Sequence, residues 1–170
     1  MNMKTFKGKP MTLLGDKVKV GDKVSNFKVV NGNFEEVHLS DFKNDYLLIN
    51  VVPSLDTAVC DLQTRTVNEE LLKNDKLDIR VVTISNDLPF AQNRWANEEE
   101  LEGVTILSDY LHHDFGKKFG VLMEENMLLA RSFYVLNKKR ELIYMLEVNE
   151  QTQHLNYDDL LEFINELPGK

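Results

Sequence analysis

The chain holds a single cysteine, Cys60, in the stretch PSLDTAVCDLQTR (53–65), directly behind the apolar run YLLINVV (46–52). A thiol can do nucleophilic or redox chemistry when something favours its thiolate form. Asp56 and Thr57 are both N-cap residue types for a helix that starts here. With Thr57 as the cap, Cys60 falls in the first helical turn, among unpaired backbone N–H groups and at the positive end of the helix dipole. Thr57 stands one turn before Cys60, so its hydroxyl and the thiol can face one small cavity. Pro53 stiffens the exit from the preceding strand. The positions three before and three after Cys60 are Thr57 and Gln63, which excludes a CxxC dithiol site. A free cysteine is also a common small core residue, and on the residues alone that reading and the reactive one both stay open.

The elements around this stretch set where it sits. YLLINVV reads as a central strand covered on both faces. The segment 57–74 places Val59, Leu62, Val67, Leu71 and Leu72 at roughly helical spacing. A second buried strand over 78–85 follows, then a short helix over 88–100 with Pro89 near its start and Asp87 as an N-cap candidate. A third strand over 104–109 leads to a short helix or turn over 112–120. The segment 129–148 reads as a hairpin turning at 137–140, and 156–167 closes as an amphipathic helix. Ahead of these, 3–24 suggests one or two hairpins and 27–39 another around Asn31-Gly32. Strands alternating with helices predict an α/β protein of thioredoxin-like fold: a mixed central sheet, flanking helices and an added N-terminal β-hairpin. We read 1–170 as a single domain, with about 1–25 as the extension.

Composition narrows the partners. At 42% hydrophobic and 28% charged residues the 170-residue chain is of ordinary globular type, and its net charge of −8 comes without a basic stripe. Nucleic acid and anionic membrane are therefore not expected as partners. No apolar run approaches the ~20 residues that span a bilayer, and no secretory signal is visible. One cysteine cannot form an internal disulfide, and a reduced, cytoplasmic location fits. The adjacent His112 and His113 point apart and make a poor ligand pair, and no P-loop is present.

Pro53, Thr57 and Cys60 match a pattern of Pro, three residues, Thr or Ser, two residues, Cys, and on it the stretch resembles the peroxidatic motif of the peroxiredoxins. TISNDLPFAQNRW (83–95), LLARSFYVL (128–136) and the N-terminal FKGKPMTLLG (6–15) are similar to the bacterial thiol peroxidase subgroup, so the resemblance covers nearly the whole chain. It implies a thiol-dependent peroxidase that reduces hydrogen peroxide and alkyl hydroperoxides, with a Cys60 sulfenic acid as intermediate. It further implies that Thr57 hydrogen-bonds peroxide and sulfur, that Arg131 stabilises thiolate and developing charge, and that Pro53 roofs the pocket. No prosthetic group or metal is implied. The resemblance implies an external thiol reductant, thioredoxin or a low-molecular-weight thiol, and a homodimer is expected.

The pattern breaks at Ala96, where many members of the subgroup carry a resolving cysteine. Three readings follow: a natural one-cysteine enzyme recycled by an outside thiol, an engineered form of a two-cysteine enzyme, or a sensor or partner-binding protein without turnover. Three further expectations concern neighbours. Arg131, isolated in MLLARSFYVL, must find a partner if it enters the core. Arg65 either pairs with Asp61 or flanks the pocket. Phe42, Phe90, Trp95, Phe115 and Phe119 could supply an apolar rim, although core packing is the commoner use of such residues.

Overall fold

A computed structural model describes residues 3–100 and 103–169, so Met1 and Asn2 of the expected extension fall outside it. The elements up to the cysteine helix are β1 (Thr5–Phe6), β2 (Lys9–Pro10), β3 (Leu13–Leu14), β4 (Lys28–Val30), β5 (Glu36–His38), β6 (Tyr46–Val51) and α1 (Ala58–Leu72). Then come β7 (Ile79–Ser85), α2 (Pro89–Glu98), β8 (Thr105–Ser108), α3 (Asp114–Phe119), β9 (Leu122–Met123), β10 (Ser132–Leu136), β11 (Leu142–Glu147) and α4 (Tyr157–Asn165).

Seven strands form one mixed sheet in the order β11-β10-β6-β7-β8-β4-β5. β6, β7 and β8 run parallel, joined by the α1 and α2 crossovers, and the remaining pairings are antiparallel. The apolar run 46–52 thus becomes the middle strand of the sheet. Its pleat sends Leu47, Ile49 and Val51 into one core cluster with Val82, Ile84, Tyr134 and Phe119. Leu48 goes to the other face with Val67, Leu71, Phe133, Val135, Leu160 and Ile164, under α1 and α4. Asn50 shares that second face by parity and is fully buried there. The β10–β11 hairpin turns between Leu136 and Leu142, as the sequence predicts.

The N-terminal segment departs from a run of simple hairpins. β1 and β2 do form one, but β3 pairs with β9 instead of starting a second. The Asn31-Gly32 turn is wider than a two-residue hairpin, since Val30 lies opposite Glu36. Asn31 Oδ1 accepts the N–H groups of Asn33 and Glu35 and holds that wider loop. At Gly15 (φ +87°) an added Cβ would lie 1.9 Å from the Lys117 carbonyl oxygen, so the extension packs backbone to backbone on α3.

The larger surprise lies in α1. Apolar spacing puts Leu62 on the core side, yet Leu62 is 44% exposed. The buried stripe instead runs through Cys60, Gln63, Thr64, Val67, Asn68 and Leu71. Three of those six are polar, so the helix has little apolar face to read, and the Leu72 side chain lies outside the described residues. Gln63 and Thr64 are satisfied by bonding inward, and Asn68 Nδ2 by donating back to the Thr64 carbonyl (2.8 Å). Asn50 Nδ2 donates to Thr64 Oγ1 (3.1 Å) and Thr83 Oγ1 (3.2 Å), and Gln63 Nε2 donates to Asn50 Oδ1 (2.6 Å). Burying such groups is tolerable only when they are paired like this.

Candidate active site

After Val51 the chain leaves the sheet at the carboxyl end of β6, where α/β sheets place their sites. Val52 and Pro53 remain buried, and the turn 54–57 then feeds α1. Asp87, at the same end of the neighbouring strand, fixes this turn. Its carboxylate accepts from Ser54 Oγ (2.7 Å), from the Leu55 N–H (2.8 Å) and from Ser85 Oγ (2.8 Å). Asp87 is therefore not the N-cap of α2. That position belongs to Leu88, with Pro89 as the first helical residue. The loop ahead of α1 is the better customer for the carboxylate, because its backbone donor has no strand partner.

Thr57 is the N-cap of α1, with extended backbone angles (φ −105°, ψ 147°). Its Oγ1 accepts the N–H of Cys60 (3.2 Å) and donates to the Ser54 carbonyl (3.3 Å). This choice of cap puts Cys60 third in the helix, inside the first turn. The cap hydroxyl touches the cysteine's own amide, so hydroxyl and thiol-bearing residue are held in one local unit.

The thiol is fully enclosed. Cys60 is 0% exposed and clusters with Val52, Leu55 and Trp95, with Ala96 and Ile106 packed against them. Trp95 also donates Nε1–H to Asp61 (2.7 Å), fastening α2 to the residue after the cysteine. Of the aromatic residues expected as a rim, Trp95 alone belongs to this cluster. Phe115 and Phe119 pack in the core on the opposite face of the sheet with Phe42 against them, and Phe90 is 70% exposed. Arg65 faces the α1–α2 seam, paired with Glu99 and 4.0 Å from Asp61.

Arg131 immediately precedes β10 and shares a face with Phe133 and Val135, which carries it under α1. It is 2% exposed. Nη1 donates to Gln63 Oε1 (2.9 Å), while Nε (3.0 Å) and Nη2 (2.9 Å) both donate to the Gln151 carbonyl. Gln63 lies one turn beyond Cys60 and is itself tied to Asn50 and to the Val51 carbonyl. The expected partner for a core arginine is thus a pair of neutral amides, not a carboxylate.

Tyr157, the first residue of α4, completes the surroundings. Its phenol oxygen is enclosed and has no hydrogen-bond partner among the described residues. Burial pushes the phenol pKa up, Arg131 opposes that shift and Cys60 adds to it. Gln63, Gln151 and Tyr157 are residues that spacing arguments do not single out. A signal for Gln63 exists: Cys60, Gln63, Thr64 and Asn68 recur at three- and four-residue intervals, a polar stripe on one helical face. Among the described residues no group of three or more His, Cys, Asp or Glu could hold a metal ion, and no helix is long and apolar enough to cross a membrane.

Residues 20–145 match the family model described as the AhpC/TSA family. The chain belongs to that family. A thiol peroxidase of Halalkalibacterium halodurans is 49% identical over 158 residues, covering 93% of this chain and 94% of that protein. The thiol peroxidase of Bacillus subtilis is 47% identical over 158 residues, with 93% of each chain covered. Among solved structures, a peroxiredoxin-like protein from Aquifex aeolicus superposes with a TM-score of 0.88 at 33% identity, covering 98% of this chain and 97% of that one. A thiol peroxidase from Chromobacterium violaceum gives 0.84 at 19% identity, over 96% and 95% of the two chains, and speaks to the fold. Family, subgroup and thioredoxin-like architecture thus agree with the resemblance carried by the motifs, and the subgroup is that of the bacterial thiol peroxidases.

Proposed function

We propose that this chain is a thiol-dependent peroxidase that reduces hydrogen peroxide and alkyl hydroperoxides through Cys60. The observation that carries the reading is the cap geometry: Cys60 in the first turn of α1, its amide held by Thr57 Oγ1, with the buried Arg131 fixed one turn along by Gln63. The relatives named thiol peroxidase, similar over nearly the full length of the chain, support the same activity.

In the reaction the Cys60 thiolate attacks one peroxide oxygen. An S–O bond forms, the O–O bond breaks, and the departing alkoxide takes a proton to leave as alcohol, or as water from hydrogen peroxide. The sulfur is oxidised to sulfenic acid and the peroxide is reduced. The Thr57 hydroxyl orients the peroxide, and Arg131 stabilises the charge spreading over sulfur and both oxygens. Pro53, buried at the exit of β6, helps exclude water. Since the 170 residues contain one cysteine, resolution falls to an external thiol such as thioredoxin or a low-molecular-weight thiol. That thiol condenses with the sulfenic acid to a mixed disulfide and water. A second thiol equivalent then releases reduced Cys60.

Three finer assignments go with this reading. Residues 1–170 act as one peroxiredoxin domain, supported by a single sheet that draws strands from 28 to 147. The cytoplasm is the site of action, supported by the need for a steady supply of reduced thiol. A homodimer forms through the exposed apolar patch around Phe34, Leu88 and Phe90, where the Phe34 and Phe90 ring centroids lie 5.1 Å apart in the open. A chain that runs as a monomer in light scattering at micromolar concentration contradicts the last of these.

The test is intact mass and peptide mapping after one equivalent of tert-butyl hydroperoxide without reductant. A gain of one oxygen mapping to Cys60 and trapped by a sulfenic-acid-specific diketone is expected. Thr57→Val should gain it more slowly and melt lower, since losing such a cap costs about 1 kcal/mol, whereas Thr57→Ser keeps both properties. No oxygen at Cys60 over minutes rules the peroxidase out.

A further inference from the structure

Arg131 is gripped by a turn that another part of the chain holds in place. The Gln151 carbonyl accepts both Nε and Nη2 of Arg131, and the Gln151 side chain accepts the Arg131 backbone N–H through Oε1 (2.5 Å). Gln151 is fully buried, and its Nε2 closes the turn on the Val148 carbonyl (3.1 Å). A carbonyl fixes the plane of a guanidinium without cancelling its charge, as a carboxylate would. The positive field therefore remains free for the sulfur and the peroxide oxygens.

The turn 148–152 follows β11 and lies beside the N-terminal hairpin, bridged to it in parallel at Thr5 and Glu150. Thr5 N–H donates to the Asn149 carbonyl (2.8 Å), and Gln151 N–H donates to the Thr5 carbonyl (2.8 Å). Glu150, between those two residues, is the latch. Its carboxylate accepts from Thr5 Oγ1 (3.0 Å), from the Gly8 N–H (2.7 Å), and from the N–H (2.8 Å) and hydroxyl (2.7 Å) of Thr152. The Lys7 N–H adds a longer contact of 3.3 Å. The bonds from Thr152 and Gly8 hold the Glu150 carboxyl down at about 2, so it stays ionised at any working pH. Gly8 takes φ +78° to bring its N–H to this carboxylate. On the inner side, the buried Lys4 ammonium binds Glu147 (3.0 Å) and the Val148 carbonyl (3.2 Å).

We propose that the N-terminal hairpin is a positioning device for the reaction, with Glu150 as its positioning residue: it clamps the turn 148–152, so that Gln151 holds the Arg131 guanidinium in line with Cys60. The proposal rests on the peroxidase reading above. It gives the extension a task that its distance from the thiol in sequence conceals. Freeing the latch lets the Gln151 carbonyl shift, and Arg131 then loses two of its three side-chain bonds together.

The experiment compares the full-length parent with Glu150→Ala and Glu150→Gln. Three quantities are read: the rate of sulfenic acid formation with tert-butyl hydroperoxide, the pH midpoint of Cys60 alkylation by iodoacetamide, and hydrogen exchange at the Gln151 amide. Glu150→Ala is expected to react roughly tenfold more slowly, short of the roughly 100-fold that a full misplacement of about 1 Å can cost at a reacting centre. Its alkylation midpoint should move to higher pH, and its Gln151 amide should exchange faster. Glu150→Gln keeps one acceptor oxygen and recovers part of each effect. A purely structural latch would lower the melting temperature and leave rate and midpoint at parent values, which overturns the proposal while the peroxidase stands. A parent that takes up no oxygen at Cys60 overturns both. Should Glu150→Ala fail to fold, Glu150→Gln carries the same comparison, and parent-like rate and midpoint there overturn the proposal equally.

Discussion

Cys60→Ser is expected to abolish peroxide consumption with excess dithiothreitol as reductant, down to the rate of dithiothreitol alone. A serine hydroxyl does not ionise at neutral pH, so the pocket would hold its donors around a group that cannot attack the O–O bond. The variant should still fold. Its new hydroxyl lies in a helix, where a Ser can bond back to a backbone carbonyl, and the surrounding Val52, Leu55 and Trp95 lose little contact area. Burying the hydroxyl with one such bond costs on the order of 1 kcal/mol, a fraction of the stability of an ordinary domain. Intact mass needs care, because the six methionines also take up oxygen. The sulfenic-acid trap separates the two: parent labelled, Cys60→Ser unlabelled. Sustained peroxide consumption by folded Cys60→Ser would assign the chemistry to another group.

What the sequence reveals about this site divides by range. Pro53, Thr57 and Cys60 are local to one strand-to-helix junction, and N-capping works over three residues, so their relation follows from spacing. Arg131 announces itself only as a charge in an apolar run, because its partners lie 68 and 20 positions away and are uncharged amides without a local signature. The same cause explains the misplaced face of α1. Leu62 satisfies an apolar period, but the sheet beneath the helix offers the buried Asn50, and Gln63 and Thr64 turn to meet it, while Asn68 bonds back to the Thr64 carbonyl. Asn50 in the middle of YLLINVV carries a usable hint. An amide inside a fully covered strand must be paired, and the helix that follows is the nearest source. Asp87 misleads for the opposite reason. Its position before Leu88-Pro89 satisfies the local rule for a helix cap, while the loop of a neighbouring strand competes for its oxygens and wins.

Arg131→Ala is the second large effect, and it reports on charge and scaffold together. Removing a guanidinium that is 2% exposed strips Gln63 Oε1 and the Gln151 carbonyl of their donors at once. Each acceptor left unpaired in a buried site costs about 1–3 kcal/mol, so a clear fall in melting temperature is expected. The rate of Cys60 oxidation should fall further than stability alone explains, by roughly 100- to 1000-fold, the usual loss when a preorganised donor to a developing charge is removed. Arg131→Lys separates the two contributions. Lysine keeps the charge, but a single ammonium cannot satisfy Gln63 and the Gln151 carbonyl with the planar fork that now spans them. If charge dominates, Arg131→Lys stays near the parent in its alkylation pH midpoint while reacting at an intermediate rate. If geometry dominates, it falls with Arg131→Ala in rate. A folded Arg131→Ala that gains oxygen at the parent rate removes Arg131 from the reaction and leaves it a structural tie between α1 and the turn after β11.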